Sequence, residues 1–147
     1  MPDLQPRFAT RPVPGVCLAA LVIFGFPAVA TAAGDDAALC LEAEQRYVEL
    51  FGNPSAEEEG VSVVLMYKYH FCPAAITVKP LTTVRWVNVD KRTSHSVLVP
   101  DSGEPESDRV FSEEIIEMTF LTAGDHKYLC GPHWETHDMI GMVTVAE

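Results

Sequence analysis

The stretch TVRWVNV, residues 83–89, alternates side chains with a period of two, which is the repeat of an extended strand. One set of alternate positions comprises Val84, Trp86 and Asn88, and the other comprises Arg85, Val87 and Val89. The segment therefore predicts a β-strand.

Similar short segments continue on both sides of this strand. They are rich in β-branched and aromatic residues and are separated by Pro, Gly, Asp and Ser: VSVVLMYKY (61–69), AITVK (75–79), HSVLV (95–99), IIEMTF (115–120), HKYLC (126–130) and IGMVTV (140–145). Short strands with this punctuation indicate an all-β protein, here a β-sandwich of seven or eight strands over residues 61–147. The irregular segment 99–109 is expected to cross between the two sheets.

The residues before this domain divide into two parts. Residues 1–33 combine Arg7 and Arg11, an apolar run and the small-residue sequence Ala30-Thr31-Ala32, which predicts a secretory signal peptide. An uncleaved membrane anchor is the alternative, and no stable membrane insertion is expected if the segment is removed. Residues 34–60 predict a helical extension over 35–51, followed by an acidic linker. Periplasmic or secreted localisation follows from the signal peptide.

The formal net charge is −11 at pH 7. Nucleic acid is therefore excluded as a partner, because it would require a basic face. A cation or a protein with a basic docking face is the expected counterpart.

The segment CGPHWETHDM, residues 130–139, concentrates metal-binding residue types. Cys130 ends a predicted strand, and Gly131-Pro132 forces a turn that can bring His133 back towards it. A second candidate, His95, can join them because a sandwich gathers strand ends at one pole. One Cys, two His and a weak Met ligand form the typical blue-copper set. From these residues alone, the fourth ligand can be either His137 or Met139. A set of four Cys and His ligands would also suit a structural zinc site.

Residues 61–147 resemble the cupredoxins, small blue copper proteins of the plastocyanin and amicyanin kind. The resemblance rests on the segment YKYHFCPAAITVKPLTTVRWVN, on His95 after a short loop, and on an ending of the form Y-x-C-x-P-H…M-x-G-x-V-x-V. In this chain that ending consists of Tyr128, Cys130, Pro132, His133, Met139, Gly141, Val143 and Val145. The resemblance implies a Greek-key sandwich with one copper ion, Cu(I) or Cu(II), bound by His95, Cys130, His133 and Met139.

Two positions and one loop length depart from the family pattern. Pro80 replaces the usual turn Gly, Ser96 stands where Asn often follows the first His, and the loop from His133 to Met139 is one residue longer than in plastocyanins. His137 lies in that longer loop. We expect Met139 to be the axial ligand because it stands two residues before Gly141, and we expect the extra residue to bulge outward and carry His137 towards solvent.

Three cysteines remain after signal cleavage: Cys40, Cys72 and Cys130. An exported protein can form disulfides. Because the family ending assigns Cys130 to the metal, we predict a Cys40–Cys72 disulfide that pins the helix to the sandwich.

The function expected from these features is one-electron transport, with a cytochrome or a copper enzyme as redox partner and no enzymatic activity. Copper binding for delivery without redox turnover is the alternative function. A site with one Cys and three His ligands is the alternative site.

Overall fold

The computed structural model describes residues 33–147. The predicted signal peptide, residues 1–33, lies outside the described residues apart from its last position. The two main helices and seven strands, in chain order, are α1 Ala33–Phe51, β1 Val61–Tyr67, β2 His70–Cys72, β3 Ala75–Val78, β4 Thr82–Asn88, β5 Ile115–Phe120, β6 Gly124–Leu129, α2 Trp134–His137 and β7 Ile140–Val145. Within this range, no helix has the length and apolar character needed to cross a membrane.

The strands form two sheets with mixed pairing. One sheet has the order β2-β1-β4-β5 and the other the order β3-β7-β6. β1 pairs with β4 in parallel, and β3 pairs with β7 in parallel, whereas the other neighbours are antiparallel. The prediction of an all-β sandwich with an N-terminal helix is confirmed, with seven strands.

The main core lies between the two sheets. Trp86 from β4 meets Tyr128 from β6 at a centroid distance of 5.3 Å, and Tyr128 in turn meets Phe71 at 4.7 Å. All three side chains are buried. Aromatic rings fill the space between the sheets and fix the position of β6, which leads directly into Cys130.

Helix α1 packs against a second apolar cluster on the other side of β1 and β4. Ala43 and Tyr47 of the helix are buried in this cluster together with Leu65, Val87 and Val89. Val87 and Val89 alternate with Trp86, so β4 buries both of its faces, one against the opposite sheet and one against the helix.

The Cys40–Cys72 disulfide is present, with a Cα–Cα distance of 5.2 Å, and it links α1 to β2. Cys130 is the free cysteine of the described residues and is buried. The predicted disulfide is therefore confirmed.

The predicted strand at 95–99 was wrong. This segment makes only two isolated bridges, one from His95 to Val110 and one from Leu98 to Leu129. Leu98 thus reaches β6 of one sheet, while the chain after Val110 enters β5 of the other. The segment is a crossover, as is the irregular stretch that follows it, and this arrangement leaves His95 in a loop at the end of the sandwich.

Candidate metal centre

A buried asparagine organises the loop that carries His95. The Asn88 amide Nδ2 donates to the carbonyl oxygens of Thr93 and Val110, each at 2.9 Å. Its Oδ1 accepts the Asp90 N–H at 2.8 Å. His95 itself exchanges two backbone hydrogen bonds with Val110, at 2.8 and 3.0 Å. These hydrogen bonds fix the backbone around His95, and its imidazole is fully buried.

The turn after β6 brings His133 back towards Cys130. The Cys130 carbonyl accepts the N–H groups of His133 at 3.0 Å and Trp134 at 2.9 Å. A continuing strand could not make these bonds, because its carbonyls face a neighbouring strand. The sequence Gly131-Pro132 allows the chain to reverse here, as the sequence analysis predicted.

Three donor atoms converge at this pole of the sandwich. The Cys130 Sγ lies 3.7 Å from His95 Nδ1 and 3.3 Å from His133 Nδ1. The ligand atoms of these three residues all lie within 4.8 Å of one another, which positions them to bind one metal ion. A thiolate with two imidazoles fits copper, since soft sulfur and borderline nitrogen ligands suit both of its oxidation states.

Burial keeps His95 neutral in the metal-free protein. Desolvation, reinforced by the charge of His133, lowers the pKa of His95 to about 4, and Asp90 opposes this shift. Desolvation also lowers the pKa of His133. A neutral imidazole carries a proton on only one of its two nitrogens. The other nitrogen of each ring can therefore offer its lone pair to a metal ion at neutral pH.

The pKa of the Cys130 thiol shifts upward, whereas the pKa values of the two imidazoles shift downward. Burial raises its pKa, and hydrogen bonding to Ser96 partly offsets that effect. The metal-free site therefore holds a protonated thiol at neutral pH, and a bound metal ion must displace this proton to obtain the thiolate.

The backbone of Met139 contacts the backbones of two donor residues, Cys130 and His133. Its carbonyl accepts the Cys130 N–H at 3.0 Å, and its N–H points to the His133 carbonyl at 3.5 Å. The side chain is buried, with 1% exposure. Gly141, two residues later, is fixed by close packing, because a Cβ there would overlap the ring of Tyr128 and the Ala74 carbonyl. The end of the loop is thus anchored at Gly141, the residue that served as the reference point for expecting Met139 as the fourth ligand.

His137 is exposed and lies apart from the three donors. Residues 134–137 form the short helix α2 rather than the irregular outward bulge that the sequence analysis expected, and the His137 N–H donates to the His133 carbonyl at 2.9 Å. The His137 ring stacks on Tyr69, and its Nδ1 lies 2.8 Å from Thr136 Oγ1. Its ring centroid is 5.8 Å from that of His133.

The sequence analysis missed several residues around the donors. The Asp90 carboxylate lies 3.7 Å from His95 Nε2, the nitrogen that faces away from Cys130. Tyr69 contacts His133 edge to face at a centroid distance of 4.8 Å. Glu106 accepts a hydrogen bond from Ser96. Ser96, which stands where the family often has Asn, was the sequence feature that could have pointed to Glu106. No feature of the sequence pointed to Asp90 or Tyr69.

Comparison with known proteins agrees with this site. The sequence profile of the family described as copper binding proteins, plastocyanin/azurin family, matches residues 61–146. The reduced Cu(I) form of an amicyanin variant is 30% identical, with a TM-score of 0.53, over 63% of this chain and 89% of that chain. Amicyanin from Paracoccus versutus is 28% identical, with a TM-score of 0.52, over 63% of this chain and 88% of that chain. A purple cupredoxin from Nitrosopumilus maritimus shares the fold at 22% identity and a TM-score of 0.51, over 58% of this chain and 99% of that chain.

Proposed function

The chain belongs to the plastocyanin/azurin family of copper-binding proteins, and from this premise we propose that it is an exported type 1 copper protein that carries single electrons between partner proteins. The observation that carries the proposal is the convergence of Cys130 Sγ with the Nδ1 atoms of His95 and His133 at one pole of the sandwich. These three residues would hold the copper, with Met139 as a weak fourth ligand.

The rigidity of the site supports a carrier role. Bound copper would supply the one-electron couple, and the chain supplies donors that already converge without it. His95 is held by Val110 and by the Asn88 network, and Cys130 and Met139 are held to each other by a backbone hydrogen bond. A site whose ligands move little between the two oxidation states has a low reorganisation cost.

His133 offers the route for the electron to reach a partner. Of the three donor residues it is the one that is partly exposed, whereas His95 and Cys130 are fully buried. Trp134, the next residue, is 41% exposed on the same loop and provides an apolar contact surface. A partner that covers this pole would bring its own redox centre towards the His133 edge.

The charge of the protein suggests the nature of that partner. A net charge of −11 favours association with a protein that has a basic docking face, because complementary charge raises the association rate. A cytochrome or a copper enzyme exposed to the same compartment would fit this role. The chain itself is proposed to be a carrier and not an enzyme.

Export is proposed on the sequence of residues 1–33. Cleavage there would leave a helical extension and linker at 34–60 and a copper-binding domain at 61–147. N-terminal sequencing of the protein recovered from the periplasm or medium tests this, and an intact Met1 or Pro2 terminus on membrane-bound protein would favour an anchor instead.

The decisive experiment is an absorption spectrum with Cu(II), recorded before and after ascorbate. We expect an intense visible thiolate-to-copper band that ascorbate bleaches and re-oxidation restores. Cys130→Ser removes the thiolate and should abolish the band, whereas the control His126→Ala, at a half-buried histidine of β6 outside the donor cluster, should keep it. A Cys130→Ser protein that retains the full band would overturn the proposal.

Copper delivery without redox turnover is the second candidate function. The exposed His137 favours it, because a spare imidazole 5.8 Å from the His133 ring could help to pass an ion to another protein. Rapid release of Cu(I) to a metal-free acceptor protein, together with slow electron exchange, would support delivery over electron transport.

A further inference from the structure

Ser96, the residue after His95, connects the two loops that carry the donor residues. Its buried Oγ accepts the Gly131 N–H at 3.2 Å, immediately after Cys130. Its hydroxyl hydrogen is donated to Glu106 Oε1 at 2.5 Å. A hydroxyl has only one hydrogen to donate, so Glu106 fixes the orientation in which Ser96 receives the Gly131 N–H.

Glu106 is held in place by its own backbone neighbours. The next residue, Ser107, donates its N–H to the Val97 carbonyl at 3.0 Å and accepts the Val97 N–H on its Oγ at 2.9 Å. Segment 106–110 therefore runs beside segment 95–97, tied at Val97 and again at His95. Glu106 is itself exposed to solvent, and the hydrogen bond from Ser96 Oγ holds its carboxylate against this loop.

The close approach of this carboxylate explains the glycine at position 131. A Cβ on Gly131 would overlap the carboxylate of Glu106. A negative charge thus lies directly against the Cys130–Gly131 peptide, at the loop that supplies the thiolate.

We propose that Glu106 sets the balance between Cu(I) and Cu(II) at this site, acting through Ser96 as a positioning residue with a fixed negative charge. The inference rests on the copper site proposed above. A nearby negative charge stabilises the doubly charged ion more than the singly charged ion, so Glu106 favours Cu(II) and lowers the reduction potential. The hydrogen bond from the Ser96 hydroxyl keeps the charge at a constant distance in both oxidation states.

The same loop offers a matched control. Glu104, two residues earlier, is exposed like Glu106, but within the described part of the chain its carboxylate makes no hydrogen bond or ion pair. Glu104→Gln and Glu106→Gln change the net charge equally. The side-chain oxygen of Gln can still accept the Ser96 hydroxyl, so Glu106→Gln removes the charge and retains the hydrogen bond.

The test measures Cu(I) and Cu(II) affinities by competition with chelators of known affinity. Glu106→Gln should raise the ratio of Cu(I) to Cu(II) affinity by about tenfold, as expected for one charge at close range in a partly screened site. For a one-electron couple this equals a rise of about 59 mV in the potential. Glu104→Gln should change the ratio by less than about threefold, because its carboxylate is not held against the Cys130–Gly131 peptide and solvent screens it from the site.

Equal shifts in the two variants, or an unchanged ratio in Glu106→Gln, would overturn the role of Glu106. A shifted ratio in a protein that exchanges electrons slowly would overturn only the carrier function, since equilibrium affinities do not depend on transfer rates. A chain that binds neither copper ion would overturn both.

A second measurement on the metal-free protein tests the connection through Ser96. Amide hydrogen exchange at Gly131 should accelerate in Ser96→Ala and Glu106→Ala, which lose the bridge, and should stay close to that of the parent protein in Glu106→Gln. Unchanged exchange in both alanine variants would show that Ser96 and Glu106 do not hold this loop.

Discussion

The ring of Tyr69 stacks on the imidazole of His137, with centroids 3.8 Å apart and planes inclined by 17°. Tyr69 lies in the turn between β1 and β2 with a left-handed backbone, φ 66°. The same tyrosine ring meets His133 edge to face. His137 is therefore held against an aromatic face at the surface, while His133 points to Cys130.

The axial position can be assigned by two substitutions. Met139→Leu removes the proposed thioether donor and should shift the copper spectrum and raise the potential, because Cu(II) depends on an additional donor more than Cu(I) does. His137→Ala removes an exposed ring and should leave the spectrum nearly unchanged. A strong spectral change in His137→Ala with none in Met139→Leu would instead indicate one Cys and three His ligands.

Asp90 is expected to strengthen Cu(II) binding at this site. Its carboxylate lies 3.7 Å from His95 Nε2, and it also accepts the Lys68 N–H at 3.0 Å. At 3.7 Å the carboxylate makes no hydrogen bond with Nε2, so it acts on a bound copper ion through its negative charge, which favours Cu(II). Asp90→Asn should therefore weaken Cu(II) binding about tenfold or more in a competition titration, whereas Asp125→Asn on β6 should not. Equal affinities for Asp90→Asn and the parent protein would contradict this role.

The disulfide is expected to stabilise the fold without affecting the copper site. Cys40 and Cys72 are 32 residues apart, and closing such a loop contributes about 3–4 kcal/mol by restricting the unfolded chain. The double variant Cys40→Ala with Cys72→Ala should lose about this much in denaturant unfolding and become insensitive to reductant. Its visible copper band should remain.

Thiol labelling of the unfolded, metal-free chain 34–147 provides the complementary check. One reactive cysteine, Cys130, is expected. Three labelled cysteines would mean that the exported protein lacks the bridge, and a single label on Cys40 or Cys72 would place Cys130 in a different disulfide.

Tyr47 should make the fold sensitive to alkaline pH. Burial, together with its hydrogen bond to Glu58, raises the pKa of Tyr47 to about 12. In the unfolded chain the phenol of Tyr47 ionises near pH 10. Its contribution to the free energy of unfolding is therefore complete below about pH 10 and is lost as the pH rises towards 12. The free energy of unfolding should fall by up to about 1.4 kcal/mol per pH unit more steeply in the parent protein than in Tyr47→Phe. Parallel pH profiles would show that Tyr47 titrates normally in the folded protein.

Much of the fold could be predicted because the relevant signals are local. The alternation in TVRWVNV specified β4, and helical spacing specified α1 almost to its ends. The segment 95–99 has equally strong β-branched composition, yet it forms only isolated bridges, because its backbone groups are shared between Val110, in the loop before β5, and Leu129 of β6. Composition does not record which partner a segment meets.

The sequence by itself determined the chemistry of the site: a cysteine, histidines and a methionine at the spacing of a copper loop, with Gly141 marking the end of that loop. Only the tertiary structure decided which groups surround those donors. His95 meets Cys130 across 35 residues because the two sheets end at the same pole. Asp90, Glu106 and Tyr69 reach the site from separate loops. Their positions depend on hydrogen bonds and packing between segments distant in the chain, which no local pattern encodes, and these contacts bury His95, orient Ser96 and hold His137 at the surface.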